Sequence, residues 1–87
     1  PLDWSAALEE HRGWLATVIR SRLRNHAAVD DVLQEVCLSV LKQANRPNDP
    51  RQVAPWLYRI AIRKVINYYR ATGRQTRLLE RWVDRTG

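Results

Sequence analysis

Cationic and aromatic side chains are interleaved along residues 56–70 of this 87-residue chain. Arginine and lysine neutralise phosphates and aromatic rings stack on unpaired bases, so the combination is typical of single-strand nucleic-acid binding. When the segment is projected as a helix, most of its cations fall on one arc. This basic arc comprises Trp56, Arg59, Ile60, Arg63, Lys64, Asn67 and Arg70. A solvated arginine-rich face is the alternative interpretation.

The same projection predicts an apolar arc that faces the core. Its members are Leu57, Tyr58, Ala61, Ile62, Val65, Ile66, Tyr68 and Tyr69. We expect the three tyrosines to pack in the core rather than to stack on bases. For Trp56 both roles stay open.

A second cluster lies on residues 30–38. Asp31, Gln34, Glu35 and Leu38 recur at three- and four-residue spacing, so on a helix they share one ridge, the acidic ridge. Such a ridge could meet a basic partner helix. The alternative is a solvated face whose aspartates favour the helix N-terminus.

Support for catalysis or metal binding is weak. Cys37 is the only cysteine and falls beside an apolar stripe, where a small buried thiol is expected. His11 and His26 lack partners at metal-ligand spacing. We therefore predict a protein that is not an enzyme and uses no metal or cofactor.

Long helices must position these clusters. Three Gly, four Pro and no Asn-Gly or Asp-Gly pair interrupt the chain, which argues against short strands joined by tight turns. We predict an all-α three-helix bundle with a short C-terminal fourth helix at residues 76–84. Helix one spans residues 4–24 and is capped by Asp3 or Ser5. Helix two spans residues 25–43, with Asn25 as its cap.

The second helix should bury an apolar stripe, and a proline-containing loop should follow it. The stripe comprises Val29, Val32, Leu33, Val36, Val40 and Leu41. Residues 45–53 form the predicted loop because Pro47 and Pro50 disfavour helix in the preceding residues. The third helix should begin at Pro55 and end at Gly73.

Charge is distributed unevenly between the halves. Residues 1–44 hold five Lys or Arg against six Asp or Glu, whereas residues 45–87 hold ten against three. This asymmetry predicts a polyanion partner, usually nucleic acid, for the C-terminal half.

Residues 1–73 are predicted to form the bundle, and residues 74–87 a helical extension or the start of an interdomain linker. The absence of Met suggests a fragment of a larger parent chain. A single cysteine and the lack of any bilayer-length apolar stretch or signal core predict a cytoplasmic protein with no membrane partner.

Residues 28–38 and 55–70 together resemble domain two of bacterial extracytoplasmic-function (ECF) sigma factors. The resemblance rests on the acidic D-x-x-Q-E helix, the Pro-containing spacer and the segment W-L-Y-R-I-A, and covers roughly residues 8–74. It implies a transcription initiation domain whose first block docks on the β′ clamp helices of RNA polymerase core. The second block, with the preceding loop, would open the promoter -10 element and hold its non-template strand.

The resemblance assigns roles to the clusters described above. The implied polymerase contacts are Asp31, Gln34, Glu35 and Leu38. Together with the basic arc, it predicts DNA contacts at Trp56, Arg59, Arg63, Lys64, Asn67, Arg70 and Arg74. The family's -35-reading domain is absent from this chain, and whether an anti-sigma factor binds the parent stays open.

The loop at residues 45–54 is predicted to choose the promoter base, because a base read by its edge must first leave the stack. Its polar side chains are Asn48, Asp49, Arg51 and Gln52, with Arg63 and Asn67 on the facing helix completing the pocket. Arg63 stands where the family usually has Asn, so base preference should differ from that of common relatives. A merely solvated connector is the alternative.

Two other function classes stay open. A duplex-reading helix-turn-helix regulator would need a turn of three or four residues, shorter than the predicted loop. A protein-interaction bundle with an incidentally basic face would bind no DNA.

Overall fold

The computed structural model describes the backbone of residues 2–86 and the side chains of residues 2–73. Three helices pack against one another: α1 (Trp4–Arg20), α2 (Ala27–Lys42) and α3 (Pro50–Thr86). No strand occurs in residues 2–86. The predicted all-α three-helix architecture is confirmed. Within the described part of the chain, no helix is long and apolar enough to cross a membrane.

Local capping explains where α1 and α2 begin and end. The Asp3 side chain accepts a hydrogen bond from the Ala6 N–H at 3.2 Å, as predicted for the N-cap of α1. The helix ends at Arg20 rather than at residue 24, and in the turn that follows the Arg22 and Leu23 N–H groups both donate to the Ile19 carbonyl. Ahead of α2, the Asn25 side chain accepts a hydrogen bond from the Ala27 N–H at 3.0 Å.

The third helix begins five residues earlier than predicted. Pro50, not Pro55, occupies its first position, and the Asp49 carboxylate accepts a hydrogen bond from the Arg51 N–H at 3.0 Å. Proline is suited to the first position because its missing N–H would have no helical partner there. Arg51 and Gln52 therefore lie in the first turn of α3, and the connecting loop comprises residues 43–49.

The predicted stop at Gly73 and the separate fourth helix at residues 76–84 are wrong, since α3 runs without a break to Thr86. Glycine ends a helix when it adopts a left-handed conformation, and neither glycine within residues 2–86, Gly13 or Gly73, has a positive φ. Whether residues 76–84 dock on the bundle concerns side chains outside the described residues.

The core takes apolar side chains from all three helices. Its largest fully buried side chains are Leu15 and Ile19 of α1, Val36 and Val40 of α2, and Leu57 of α3. Leu41 was predicted to belong to the α2 stripe, but it is 51% exposed. Leu41 lies three residues after Leu38, so the two share the exposed face of α2 rather than the buried stripe.

The buried face of α3 is rotated from the predicted apolar arc. Its buried residues are Val53, Leu57, Ile60, Ala61 and Val65, whereas Tyr58, Ile66 and Tyr69 are 37–45% exposed. The buried stripe therefore includes Ile60 from the predicted basic arc. Two parallel apolar stripes run along this helix, and the one rich in tyrosine reaches the surface because phenol hydroxyls keep polar partners there.

Candidate nucleic-acid and protein interfaces

Three arginines of α3 form an exposed basic strip: Arg59, Arg63 and Arg70. They are spaced by four and seven residues, so they follow one side of the helix. Among residues 2–73, Arg59 and Arg63 have no ion-pair partner. Their guanidinium groups are available to phosphates. Arg74, predicted to extend this strip, lies outside the residues whose side chains are described.

Lys64 and Asn67, assigned to the same basic arc, lie toward α2 instead. Lys64 Nζ is 4.0 Å from Glu35 Oε2, and the Lys64 side chain is only 25% exposed. Both residues line a cavity of about 260 Å³ between the two helices. That cavity also contacts Asp31 and Glu35 of the acidic ridge. Lys64 therefore has its positive charge partly balanced within the protein.

The loop and the first three turns of α3 form a second concave site, the loop cleft, of about 390 Å³. It is lined by Pro47, Arg51, Gln52, Pro55, Trp56 and Arg59. Two predicted pocket residues, Arg51 and Gln52, thus meet two predicted DNA contacts, Trp56 and Arg59. The cleft offers an amide, two guanidinium groups and an indole to an occupant.

Trp56 contacts the core and also keeps part of its ring accessible. Its ring lies edge-on to the buried Trp4 ring, with centroids 5.2 Å apart. The Arg46 guanidinium lies 5.6 Å from the Trp4 ring centroid on the loop side. Because Trp56 is only half-buried and also lines the loop cleft, its ring is held by the core while part of it stays accessible.

The remaining members of the predicted base pocket are arranged differently. Asp49 pairs with Arg51 at 3.0 Å, and this side-chain bond, followed by the Arg51 N–H bond, holds the pKa of the Asp49 carboxyl below its usual value of 3.8. Asp49 therefore caps α3 and balances Arg51. Asn48 is exposed and does not line the loop cleft.

Arg63 and Asn67 do not complete this pocket either. The distance along α3 explains why: at a rise of about 1.5 Å per residue, Arg63 lies roughly 16 Å and Asn67 roughly 22 Å beyond Gln52. The early start of α3 brings the loop against its first three turns instead. The residues that line the cleft together with Arg51 and Gln52 are therefore Trp56 and Arg59.

The acidic ridge is exposed along α2. Asp31, Gln34 and Glu35 point to solvent, and Leu38 is 44% exposed. Leu41 lies three residues beyond Leu38 and continues the ridge. It was predicted to belong to the buried stripe because it is an apolar residue at the end of that stripe. The ridge therefore offers carboxylates at one end and two neighbouring exposed leucines at the other.

Metal chemistry has no donor set in the described region. No group of three or more His, Cys, Asp or Glu is placed to hold an ion there. Cys37, predicted to be a buried thiol, is half-buried.

Comparison with known proteins gives two matches. The family model for sigma-70 region 2 matches residues 7–75. The chain is similar to the RNA polymerase sigma factor SigZ of Bacillus subtilis (strain 168), with 36% identity over 58 residues. This match covers 64% of the chain and 32% of SigZ, so the chain spans about a third of that relative's length. No solved structure matches the chain significantly.

Proposed function

The chain belongs to the sigma-70 region 2 family, and from that premise we propose that it bridges RNA polymerase core and a separated strand of the promoter -10 element. The observation that carries the proposal is the division of charge between two helices of one bundle. The acidic ridge lies on α2, whereas the basic strip and the loop cleft lie on α3. Binding at both surfaces requires no covalent chemistry.

The acidic ridge is the proposed polymerase contact, with the β′ clamp helices as its partner. Asp31 and Glu35 would meet cations of the partner, and Gln34 would donate and accept hydrogen bonds. Leu38 and Leu41 supply apolar surface, which stabilises an interface more than exposed ion pairs do. We therefore add Leu41 to the predicted contact set.

The basic strip is the proposed path of the DNA backbone. Arg59 and Arg63 would contact phosphates, while Lys64 would contribute less because Glu35 lies beside it. Phosphate contacts give affinity without sequence preference, so they position the strand rather than select it.

The loop cleft is the proposed site for one unstacked base. Trp56 offers a partly exposed ring for stacking, and Gln52 offers both a donor and an acceptor to a base edge. Arg59 lies on both the basic strip and the cleft, so a strand could continue from one to the other. Base choice would then depend on loop residues together with the first turns of α3.

Residues 1–73 are the proposed binding bundle, with residues 74–87 as the extension toward a neighbouring segment. A cytoplasmic location would follow from the polymerase partner. An anti-sigma factor remains a further candidate partner of the parent protein.

Titrating the protein against a fluorescent single strand and against the same sequence as a duplex tests the DNA half of the proposal. We expect tighter binding to the single strand, since stacking in the cleft requires an unpaired base. Preference for the duplex would favour the helix-turn-helix alternative. Co-purification with bacterial RNA polymerase core tests the other half, and failure to bind either DNA or core would contradict the proposal.

A further inference from the structure

A row of exposed aromatic side chains crosses from α1 to α3, outside the loop cleft and the basic strip. Trp14 is 42% exposed, and its ring centroid lies 6.3 Å from that of Tyr58, which is 37% exposed. The two planes are tilted by 35°. Tyr69, 45% exposed, lies further along α3. We call Trp14, Tyr58 and Tyr69 the aromatic row.

Arg22 joins this row to the end of α1. Its guanidinium donates a hydrogen bond to the Tyr58 hydroxyl at 2.8 Å and lies 5.6 Å from the Tyr58 ring centroid. The Tyr69 hydroxyl donates to the Arg22 carbonyl. These contacts hold the phenol rings in place, so a ligand that stacks here would lose little side-chain entropy on binding.

The turn after α1, where Arg22 contacts the aromatic row, is positively charged. Residues 11–29 contain four arginines and no acidic residue, although the N-terminal half as a whole is slightly negative. Arg22 and Arg24 are both exposed in this turn. Exposed rings beside the Arg22 guanidinium, with a second exposed arginine two residues further on, match the chemistry of unpaired nucleotides, which carry both a stacking surface and a phosphate.

The aromatic row also adjoins the basic strip. On α3, Tyr58 precedes Arg59, and Ile62 and Ile66 lie between the tyrosines and the strip at three- and four-residue spacing. Ile66 is 45% exposed. A strand on the basic strip could therefore extend across this surface without crossing an acidic side chain of α3, since residues 50–73 contain none.

We propose that the aromatic row, with the arginines of the turn after α1, forms a second single-strand DNA site in which Trp14 stacks on a base and Arg24 contacts a phosphate. Arg22 is a positioning residue that holds Tyr58. This inference rests on the proposed strand binding by α3 and extends it onto α1. It lengthens the strand that the protein covers beyond the loop cleft.

Fluorescence anisotropy with a short and a long oligothymidine tests the site in the 87-residue protein. Trp14→Ala should weaken binding of the long strand by about fivefold or more, the lower end of what loss of one stacked base costs. Binding of the short strand should change less, because it can be held at the loop cleft alone. Trp14→Phe should retain most of the affinity, since phenylalanine also stacks.

Charge variants provide the matched comparison. Arg24→Ala should reduce the log-log salt slope by roughly 0.7, the value for one phosphate contact on a single strand. Lys42→Ala removes the same charge from the end of α2 and should leave the slope unchanged. Trp14, Arg24 and Lys42 are all exposed, and Arg24 lies in the turn after α1. Circular dichroism should therefore show parent-like helicity for all of these variants.

The outcomes separate this inference from the proposed function. Parent-like binding by both Trp14→Ala and Arg24→Ala, with Arg63→Ala weakened, would overturn the second site and leave strand binding by α3. If Arg63→Ala also bound like the parent, the proposed strand binding itself would fail. Equal loss on single-stranded and duplex DNA for Trp14→Ala would overturn stacking as the mode of binding.

Discussion

The acidic ridge of α2 and the basic strip of α3 differ in composition: the ridge joins carboxylates to exposed apolar side chains, whereas the strip is made of arginines. The ridge places two carboxylates beside two leucines that are 44% and 51% exposed. On the strip, Arg59 and Arg63 have no ion-pair partner within residues 2–73. Apolar burial is not weakened by added salt, whereas phosphate contacts weaken as salt rises. The two surfaces should therefore be separable by salt and by mutation.

Truncation of Leu57 should have the largest effect, because this residue supports both surfaces. Its side chain is fully buried at the centre of the bundle. Leu57→Ala should lower the free energy of unfolding by about 2–5 kcal/mol through lost burial and the cavity left behind. Urea denaturation followed by circular dichroism measures this change. Unfolding at the same midpoint as the parent would mean that the face of α3 with Leu57 does not lie in the core.

Truncation of Leu41 should separate binding from stability. Because Leu41 is half exposed, Leu41→Ala should change the free energy of unfolding by no more than about 0.5 kcal/mol. Binding to RNA polymerase core should weaken by roughly fivefold or more if the leucine is an anchor of the interface. Lys42→Ala, at the next position, is the control. Parent-like affinity of Leu41→Ala for core would confine the interface to the charged part of the ridge.

Removal of single cations should distinguish Arg63 from Lys64. Arg63→Ala should reduce the single-strand salt slope by roughly 0.7. On a strand too short to reach Arg24, the slope of the parent should not exceed about 3.5 in magnitude for five contacts on α3. Lys64→Ala should reduce it less, because Lys64 lies beside Glu35. Anisotropy titrations at several salt concentrations measure the slopes. A larger reduction for Lys64→Ala than for Arg63→Ala would reverse the assignment.

The smallest effect is expected at Asp49, which caps α3 next to the loop cleft. Its pKa is lowered by Arg51, so its ionised form stabilises the folded state at neutral pH. That contribution is present above the unfolded value near 3.8 and is lost as the pH falls through the lower folded value. Asp49→Asn should melt at a lower temperature than the parent at pH 7, and the difference should shrink below pH 3.8. A constant difference across that range would exclude the carboxylate as its cause.

The difference between α2 and α3 also explains which features the sequence could predict. On α2 the polar residues of the acidic ridge alternate clearly with the buried stripe, so exposure of Asp31, Gln34 and Glu35 followed from spacing. Only Leu41, an apolar residue at the helix end, was placed wrongly. Hydrophobic periodicity is reliable where a helix has one apolar face.

On α3 the same reasoning was less successful because apolar residues occur on two stripes. Tertiary contacts with α1 and α2 decide which stripe is buried, and Ile60 rather than Tyr58 lies inside. The start of α3 was predicted at Pro55, but Pro50 suits the first helical position equally well and follows Asp49, whose carboxylate accepts a hydrogen bond from the Arg51 N–H. The pocket residues depend on this starting point. The contact between Lys64 and Glu35 joins residues that are far apart in the sequence, so no local pattern could predict it.

The central claim is that one bundle carries a protein surface and a DNA surface that act separately. Measuring the affinity of Asp31→Arg/Glu35→Arg for core polymerase and for single-stranded DNA tests it most directly. We expect binding to core to fall by at least about tenfold, because like charges would face each other. Single-strand binding should be retained or slightly strengthened, since two acidic groups are replaced by cations. Unchanged binding to core, or equal loss of both partners in a protein of parent-like helicity, would contradict the account.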